Sequence, residues 1–269
     1  MSRTYTLAIV GGGRMGEAIA AGLVASSALS AERIVVAEPS EQRREVFGRQ
    51  GIATVADGHE IADEAEIILL AVKPQVIEAV LAHMADEIAP GTLVISIAVG
   101  VTTARLEALL PVDTAVVRVM PNTPTMVGEG MAVISGGSAA SADDVDRVGG
   151  LFKAVGEVVV IGEQAQDAAG AISGSGPAYA AMFVDALARA GVRQGLSRDV
   201  AQALAIQTLR GTMELLTRTG MHPEELVDGV TSPGGTTIAA VEALEAGGLR
   251  TAVSDAVSAA VRRSKELGS

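Results

Sequence analysis

Short runs of consecutive apolar residues alternate along the first part of the chain with stretches in which apolar positions recur every three or four residues. The runs Leu7–Val10, Ile34–Ala37, Ile67–Ala71, Leu93–Ser96, Ala115–Val119, Met131–Ile134 and Val158–Ile161 predict strands. The stretches Glu17–Ala25, Glu41–Gln50, Gln75–Met84 and Thr103–Leu110 predict helices between them. Strands that are apolar on both faces and alternate with helices belong to a mostly parallel sheet covered on both sides. Beyond Ile161 the strand signal stops. Gln166–Ile172, Pro177–Ala190, Ser197–Thr219, Thr236–Glu245 and Ala252–Leu267 all predict helices. Pro177 suits a first helical turn, where no donor is lost. Ser197 suits a capping position, with Asp199 in the turn that follows. The expected class is therefore α/β: a sheet domain over residues 1–162, then an all-helical domain over residues 163–269, with the boundary near Gly162.

Composition narrows the function. Hydrophobic residues make up 49% and charged residues 19% of the 269 residues, which excludes a disordered chain. Aromatics are only 2%, against 31 glycines, so the core is expected to be aliphatic and its helices closely packed. A net charge of −12 argues against a nucleic-acid partner, which needs a basic footprint. Tyr5, Phe47, Phe152, Tyr179 and Phe183 are too few and too scattered for base-stacking along a strand. Cysteine is absent, which excludes disulfides, thiolate catalysis and Cys-ligated metal. His59, His83 and His222 are scattered, and no carboxylate pair has metal-site spacing, so no metal is expected. All three histidines read as structural or solvated. The start of the chain lacks a secretory layout, and the run Ile67–Val72 is far too short to span a bilayer. A cytoplasmic protein with no membrane partner is the expectation.

The strongest motif is Gly11-Gly12-Gly13-Arg14-Met15-Gly16, which follows the first strand and opens a helix. Gly11, Gly13 and Gly16 have the spacing of a dinucleotide-binding loop: a tight turn, close backbone approach to a pyrophosphate, and close helix–strand packing. The same residues could form an ordinary glycine-rich turn, but the strand–turn–helix setting favours a Rossmann-type domain. Glu38 ends the second strand, where an acid accepts hydrogen bonds from a ribose. Ser40, Arg43 and Arg44 follow it and could instead receive a 2′-phosphate. Ala71-Val72-Lys73-Pro74 and Met120-Pro121-Asn122-Thr123-Pro124 both end strands, the place where such sheets bind ligands. Ala98, just past the strand Leu93–Ser96, is counted with the same cofactor set, as is Asn122. Ser173–Pro177 and Thr231–Thr237 each precede a helix and could cap it, or present N–H groups and hydroxyls to an anion.

Five of these stretches, Gly11–Gly16 with Glu17-Ala18-Ile19, Ala71–Gln75, Arg118–Pro124, Ser173–Tyr179 and Val230–Ile238, occur in the order and form that resembles the pyrroline-5-carboxylate reductases. The resemblance covers essentially the whole chain. It implies reduction of the cyclic imine 1-pyrroline-5-carboxylate to L-proline by NADP(H) or NAD(H), in a homo-oligomer with a dimer as building block and possibly a decamer. Carried over, it places Gly11, Gly12, Gly13, Arg14, Met15, Gly16, Ala71, Val72, Lys73 and Pro74 on the cofactor. Gly235, Thr236 and Thr237 would hold the substrate carboxylate through backbone N–H groups, with Ser175 beside them, and the Thr237 hydroxyl would meet the ring nitrogen as the catalytic contact. Glu38 departs from the Ser- or Asn-type residues of the family's NADP-binding members, which leaves cofactor preference open.

Two other classes compete. A β-hydroxyacid dehydrogenase would need a lysine base early in the helical half, and residues 166–190 contain none. A nucleotide-sensing module would bind the dinucleotide without turnover.

Overall fold

The computed structural model describes residues 3–268. Eight strands form one sheet: β1 (Tyr5–Val10), β2 (Ile34–Ala37), β3 (Ala53–Val55), β4 (Ala65–Leu70), β5 (Leu93–Ser96), β6 (Ala115–Met120), β7 (Gly130–Gly136) and β8 (Gly156–Val160). Their order is β3-β2-β1-β4-β5-β6-β7-β8. Every neighbouring pair is parallel except β6 and β7. The exception follows from the connection. Parallel neighbours need a helical crossover, whereas β6 returns as β7 through the 3-10 turn Thr123–Val127.

Alternate strand residues feed two cores. Leu7, Ile9, Ile34, Val36, Val117 and Val119 point to one face, where α1 (Arg14–Ala25), α2 (Glu41–Gly48) and α5 (Ala142–Lys153) bury Leu23, Phe47 and Phe152. Ala8, Val10, Val35, Ile68 and Val94 point to the other, against α3 (Ile77–Met84) and α4 (Thr103–Glu107). This is the doubly covered, mostly parallel sheet that the continuous apolar runs predicted. Elements absent from the sequence reading were masked for local reasons. β3 has three residues, too few for a period. α5 carries Asp143, Asp144, Asp146, Gly149 and Gly150, poor helix formers that dilute its apolar stripe.

The helical half contains α6 (Gln166–Ser173), α7 (Gly176–Arg193), α8 (Arg198–Thr219), α9 (Pro223–Val230), α10 (Thr236–Ala246) and α11 (Leu249–Gly268). α9 was hidden by its own start signal, because Pro223 sits in its first turn and reads from sequence as a loop proline. Ser197 does stand before α8, but its hydroxyl makes no capping bond. Its carbonyl accepts from the Ala201 N–H at 3.0 Å instead. No helix is long and apolar enough to cross a membrane among the described residues.

The chain divides into two compact units, one running to Ser175 and regaining the chain from Ala260, the other spanning Gly176–Ala259. α6 stays with the sheet although it lies beyond Gly162. Gln166 is fully buried and donates to the Val133 carbonyl at 3.1 Å and the Ser135 hydroxyl at 2.9 Å. In the second unit, α7 and α8 meet through small residues; a Cβ on Gly191 would lie 2.9 Å from the Ala201 Cβ.

A polar cluster ties α6 and the end of α11 to the sheet. Arg118 on β6 is buried, its side chain only 4% exposed. It donates to Glu163 at 3.2 Å and faces Asp167 at 3.7 Å. Glu163 also accepts from the Thr103 N–H and hydroxyl, and Asp167 accepts from the Ser264 hydroxyl. Removing one member of a buried ion pair strands the other, at about 3–5 kcal/mol. Glu163→Ala is therefore expected to destabilise the protein toward the low end of that range, since Asp167 still faces the guanidinium. Urea midpoints at fixed protein concentration measure it; an unchanged midpoint would show that Arg118 finds other solvation.

Candidate active site

Two positions around the β1–α1 turn exclude any side chain. Gly11 has φ +109°, and a Cβ there would lie 2.8 Å from the Ala71 carbonyl carbon and oxygen. A Cβ on Gly16 would lie 2.4 Å from the Gly11 carbonyl oxygen. Gly13, by contrast, caps α1 with open space, nothing standing within 4 Å of where its Cβ would be. The open place is the one from which a pyrophosphate would approach the unpaired N–H groups of the helix start. The turn thus fits a dinucleotide on geometry as well as spacing. Arg14, the first residue of α1, is exposed, while Met15 packs into the core below.

Side chains from the next strand and helix hold this turn. The Glu38 carboxylate accepts from the Gly12 N–H at 2.8 Å and the Ser40 N–H at 3.0 Å. Arg43 donates through Nε and Nη2 to the Gly12 carbonyl at 2.8 and 2.6 Å, and pairs with Glu17 at 2.7 Å. Arg44 donates to the Glu38 and Pro39 carbonyls, each at 2.8 Å. Both peptide groups of Gly12 are therefore gripped from the side, and Phe47 fills the space beneath. The two arginines that the sequence offered to a phosphate are engaged with backbone carbonyls.

A cleft of about 580 Å³ opens over the carboxyl ends of β1, β2 and β4. The strand order changes direction between β1 and β4, the point at which open α/β sheets bind ligands. Gly11, Gly13, Glu38, Ala71, Val72 and Lys73 line it together. Lys73 is exposed and starts the 3-10 turn Pro74–Val76. Ala98 lies apart in the core, 3% exposed, its N–H donating to Ser96. Asn122 braces its loop: its amide nitrogen donates to the Ser173 carbonyl at 3.0 Å and its oxygen accepts from the Met131 N–H at 2.8 Å.

The cleft also has residues that sequence reading left aside. Asp57 and His83 line it, joined at 2.9 Å through His83 Nε2, and the His59 ring lies 5.5 Å from that of His83. The His59 backbone N–H, followed by the His83 side chain, holds the Asp57 carboxyl below its ordinary range. β3 brings Asp57 there, and without that strand the chain shows no reason to pair positions 57 and 83. His59 sits on a 3-10 turn, not a helix, and His222 caps α9 by accepting from the Glu224 N–H at 3.2 Å.

In the second unit, the segment before α10 is a tight turn. The Gly235 N–H donates to the Ser232 carbonyl at 2.9 Å, and Gly234 has φ +65°. The resemblance gave that N–H to a substrate carboxylate, whereas the structure spends it on the turn. Gly235, not a threonine, is the cap of α10, and no side chain caps this helix. The Thr236 and Thr237 N–H groups stand in the first turn, where no intrahelical acceptor exists. Thr237 is half-buried, and its hydroxyl has no hydrogen-bond partner among the described residues. Ser175 closes the α6–α7 turn with its N–H on the Gly170 carbonyl at 3.1 Å.

Comparison with known proteins adds to this geometry. Residues 163–267 match the family model described as pyrroline-5-carboxylate reductase dimerisation, and residues 6–100 match NADP oxidoreductase coenzyme F420-dependent. A pyrroline-5-carboxylate reductase of Synechocystis is 48% identical over 97% of this chain and 98% of its own. The structure of a Coxiella burnetii pyrroline-5-carboxylate reductase superposes with a TM-score of 0.93 at 36% identity, covering 99% of this chain and 100% of that one. The Plasmodium falciparum pyrroline carboxylate reductase, crystallised with NADP bound, superposes at 0.89 with 32% identity and full coverage of both chains.

The geometry at Glu38 makes a testable statement about dinucleotide choice. Its carboxylate already fills the anion-accepting N–H groups of Gly12 and Ser40, where a 2′-phosphate would compete. Glu38→Ser frees both. A charge-assisted hydrogen bond is worth about 1.5–3 kcal/mol, so the NADPH-to-NADH ratio of kcat/KM should rise roughly tenfold or more. An unchanged ratio would mean that neither cofactor meets Glu38.

Proposed function

The chain belongs to the pyrroline-5-carboxylate reductase family, and we infer that it reduces 1-pyrroline-5-carboxylate to L-proline with a hydride from NADPH or NADH. The observation that carries this reading is the occurrence, in one chain, of a glycine-walled dinucleotide cleft and an α10 start whose Thr237 hydroxyl is unspent. Oxidation of NADPH and NADH on addition of pyrroline-5-carboxylate tests it; dinucleotide binding without oxidation would favour a sensing role.

When bound, the reduced nicotinamide supplies the hydride. The substrate does much of the remaining work, since a protonated imine is already electrophilic at carbon. Hydride addition there turns the C=N⁺H bond into a secondary amine, and the ring proton stays on nitrogen. No strong general acid is required, which suits a chain without cysteine and without a histidine in a catalytic motif. The protein's task is to hold and orient the two reactants.

The residues divide that task. Gly11, Gly13 and the start of α1 take the pyrophosphate, with Gly12 and Gly16 giving the turn its shape and Arg14 standing beside it. Glu38 faces the adenosine ribose, the position at which the two dinucleotides differ. Ala71, Val72 and Lys73 form the wall of the cleft, and Pro74 starts the turn that follows them. Ala98 and Asn122 contribute from behind, through the core and the braced loop, not through free side-chain donors. On the substrate, the Thr236 and Thr237 N–H groups hold the carboxylate on the open end of α10, with Gly235 shaping the turn. The resemblance adds Ser175 to the substrate-binding set and brings the Thr237 hydroxyl to the ring nitrogen.

Assembly follows from unburied apolar surface. In the second unit Met182, Leu204, Ile206, Met213, Val230, Leu244 and Val253 are each at least 47% exposed, and no helix there buries a large side chain within the chain. Such faces need a partner. A second copy fits, giving a homodimer through the helical half, with a decamer as the larger form. The need for reduced dinucleotide supports the cytoplasm as the place of action. Light scattering is expected to give a mass well above the 27.2 kDa of one chain at micromolar concentration; a value near 27.2 kDa would exclude the dimer.

Thr237→Ala keeps the N–H groups and removes only the hydroxyl. Because Gly235 caps α10, the change should cost little stability. A hydrogen bond to a charged group is worth about 1.5–3 kcal/mol, so kcat/KM should fall roughly 10- to 150-fold. Dinucleotide affinity should barely move. Normal turnover with an early melting point would remove Thr237 from the reaction.

A further inference from the structure

We propose that His83, seated by Asp57, is the platform on which the adenine ring of the dinucleotide rests. The proposal depends on the reading above that the cleft holds NAD(P)H, and names a residue that neither the glycine motif nor the family resemblance assigns.

The cleft has two chemically different ends. One is backbone: the Gly13 position and the unpaired N–H groups of α1. The other is walled by side chains of α3 and of the turn before it. Val76, Ala79, Val80 and His83 are spaced as one helical stripe, and all four face the cleft. With the pyrophosphate at α1 and the ribose at Glu38, the base lies beyond the ribose, at the α3 end. A flat π-system there gains most from another ring. The five Phe and Tyr residues give it none, because none of them lines the cleft. His83 is the one ring that does so with both features a platform needs. It is open, 62% of its side chain being accessible, and it is fixed, through the 2.9 Å bond to Asp57.

The fixing is specific. Asp57 accepts from the His59 N–H at 3.0 Å and is locked in a reciprocal cap with Glu60, so its carboxylate has one orientation. An ionised carboxylate cannot donate, so His83 Nε2 carries the proton of this bond and the ring is tethered there. The His59 ring, tilted by 36° at 5.5 Å, stands alongside. Base stacking on a protein ring is worth about 1–3 kcal/mol, and an open imidazole belongs at the low end.

The test separates the two halves of the dinucleotide. Titration calorimetry of His83→Ala with ADP-ribose, which has the adenine and lacks the nicotinamide, should give a dissociation constant about fivefold or more above wild type. His83→Phe, which restores a ring without the Asp57 bond, should recover part of that loss. Reduced nicotinamide mononucleotide has no adenine, so its kcat/KM as hydride donor should be the same for His83→Ala and wild type. Loss with both ligands would indicate general damage to the cleft and overturn the proposal. So would ADP-ribose binding that His83→Ala leaves unchanged, or a folded His83→Phe that recovers nothing. Failure of the wild-type protein to bind either NADH or NADPH would instead remove the reading on which the proposal rests.

Discussion

The backbone N–H and carbonyl of Gly12 set the geometry on which the cofactor end depends. Its N–H is held by Glu38 and its carbonyl by Arg43, one from the end of β2 and one from α2. At Gly11 and Gly16 the chain runs too close to its neighbours for a Cβ, Gly11 against Ala71 and Gly16 against Gly11. The turn is therefore determined twice, by exclusion of side chains and by two opposed hydrogen-bonding groups. A loop held this way presents the start of α1 without having to be ordered when a ligand arrives, and preorganisation of that kind lowers the cost of binding. Glu38 thus shapes the glycine turn, a role that its position after β2 does not by itself reveal.

The two compact units solve the burial problem differently. The sheet unit closes its own cores, with strand residues buried on both faces and helices laid over them. The helical unit closes little. α7 and α8 approach through glycine and alanine, which brings backbones together but removes few large apolar groups from water. What remains exposed is a set of leucines, valines, isoleucines and methionines that single-chain folding leaves unsatisfied. α10, which carries Thr236 and Thr237, belongs to this unit with its uncovered apolar faces.

The chemistry is economical in acid–base groups because the substrate arrives activated. In place of a general acid, the proposed site offers the free N–H groups that open α10 and one hydroxyl. The Thr237 hydroxyl makes no hydrogen bond among the described residues, and the helix it stands on is capped by Gly235.

The class of fold, the strand set apart from β3, and the glycine turn were all legible in the chain. Each rests on a local signal: consecutive apolar residues for strands buried on both faces, glycine at a fixed spacing for a turn that excludes side chains, small residues for close helices. α5 and α9 were not legible, because aspartates and glycines diluted one pattern and a helix-starting proline imitated a loop in the other. The roles of Arg43, Arg44 and Asn122 were also beyond the sequence. Polar side chains declare what they can bond to but not what stands within 3 Å of them, and all three turned out to grip backbone groups. His83 shows the same limit in the opposite direction. Alone on a helix it reads as solvated, and only the short strand β3, by carrying Asp57 across the mouth of the cleft, gives it a fixed place there. Local pattern determined which elements form; the long-range pairing of β1, β2, β3 and β4 decided which side chains meet, since contacts between residues far apart in the chain leave no period to read.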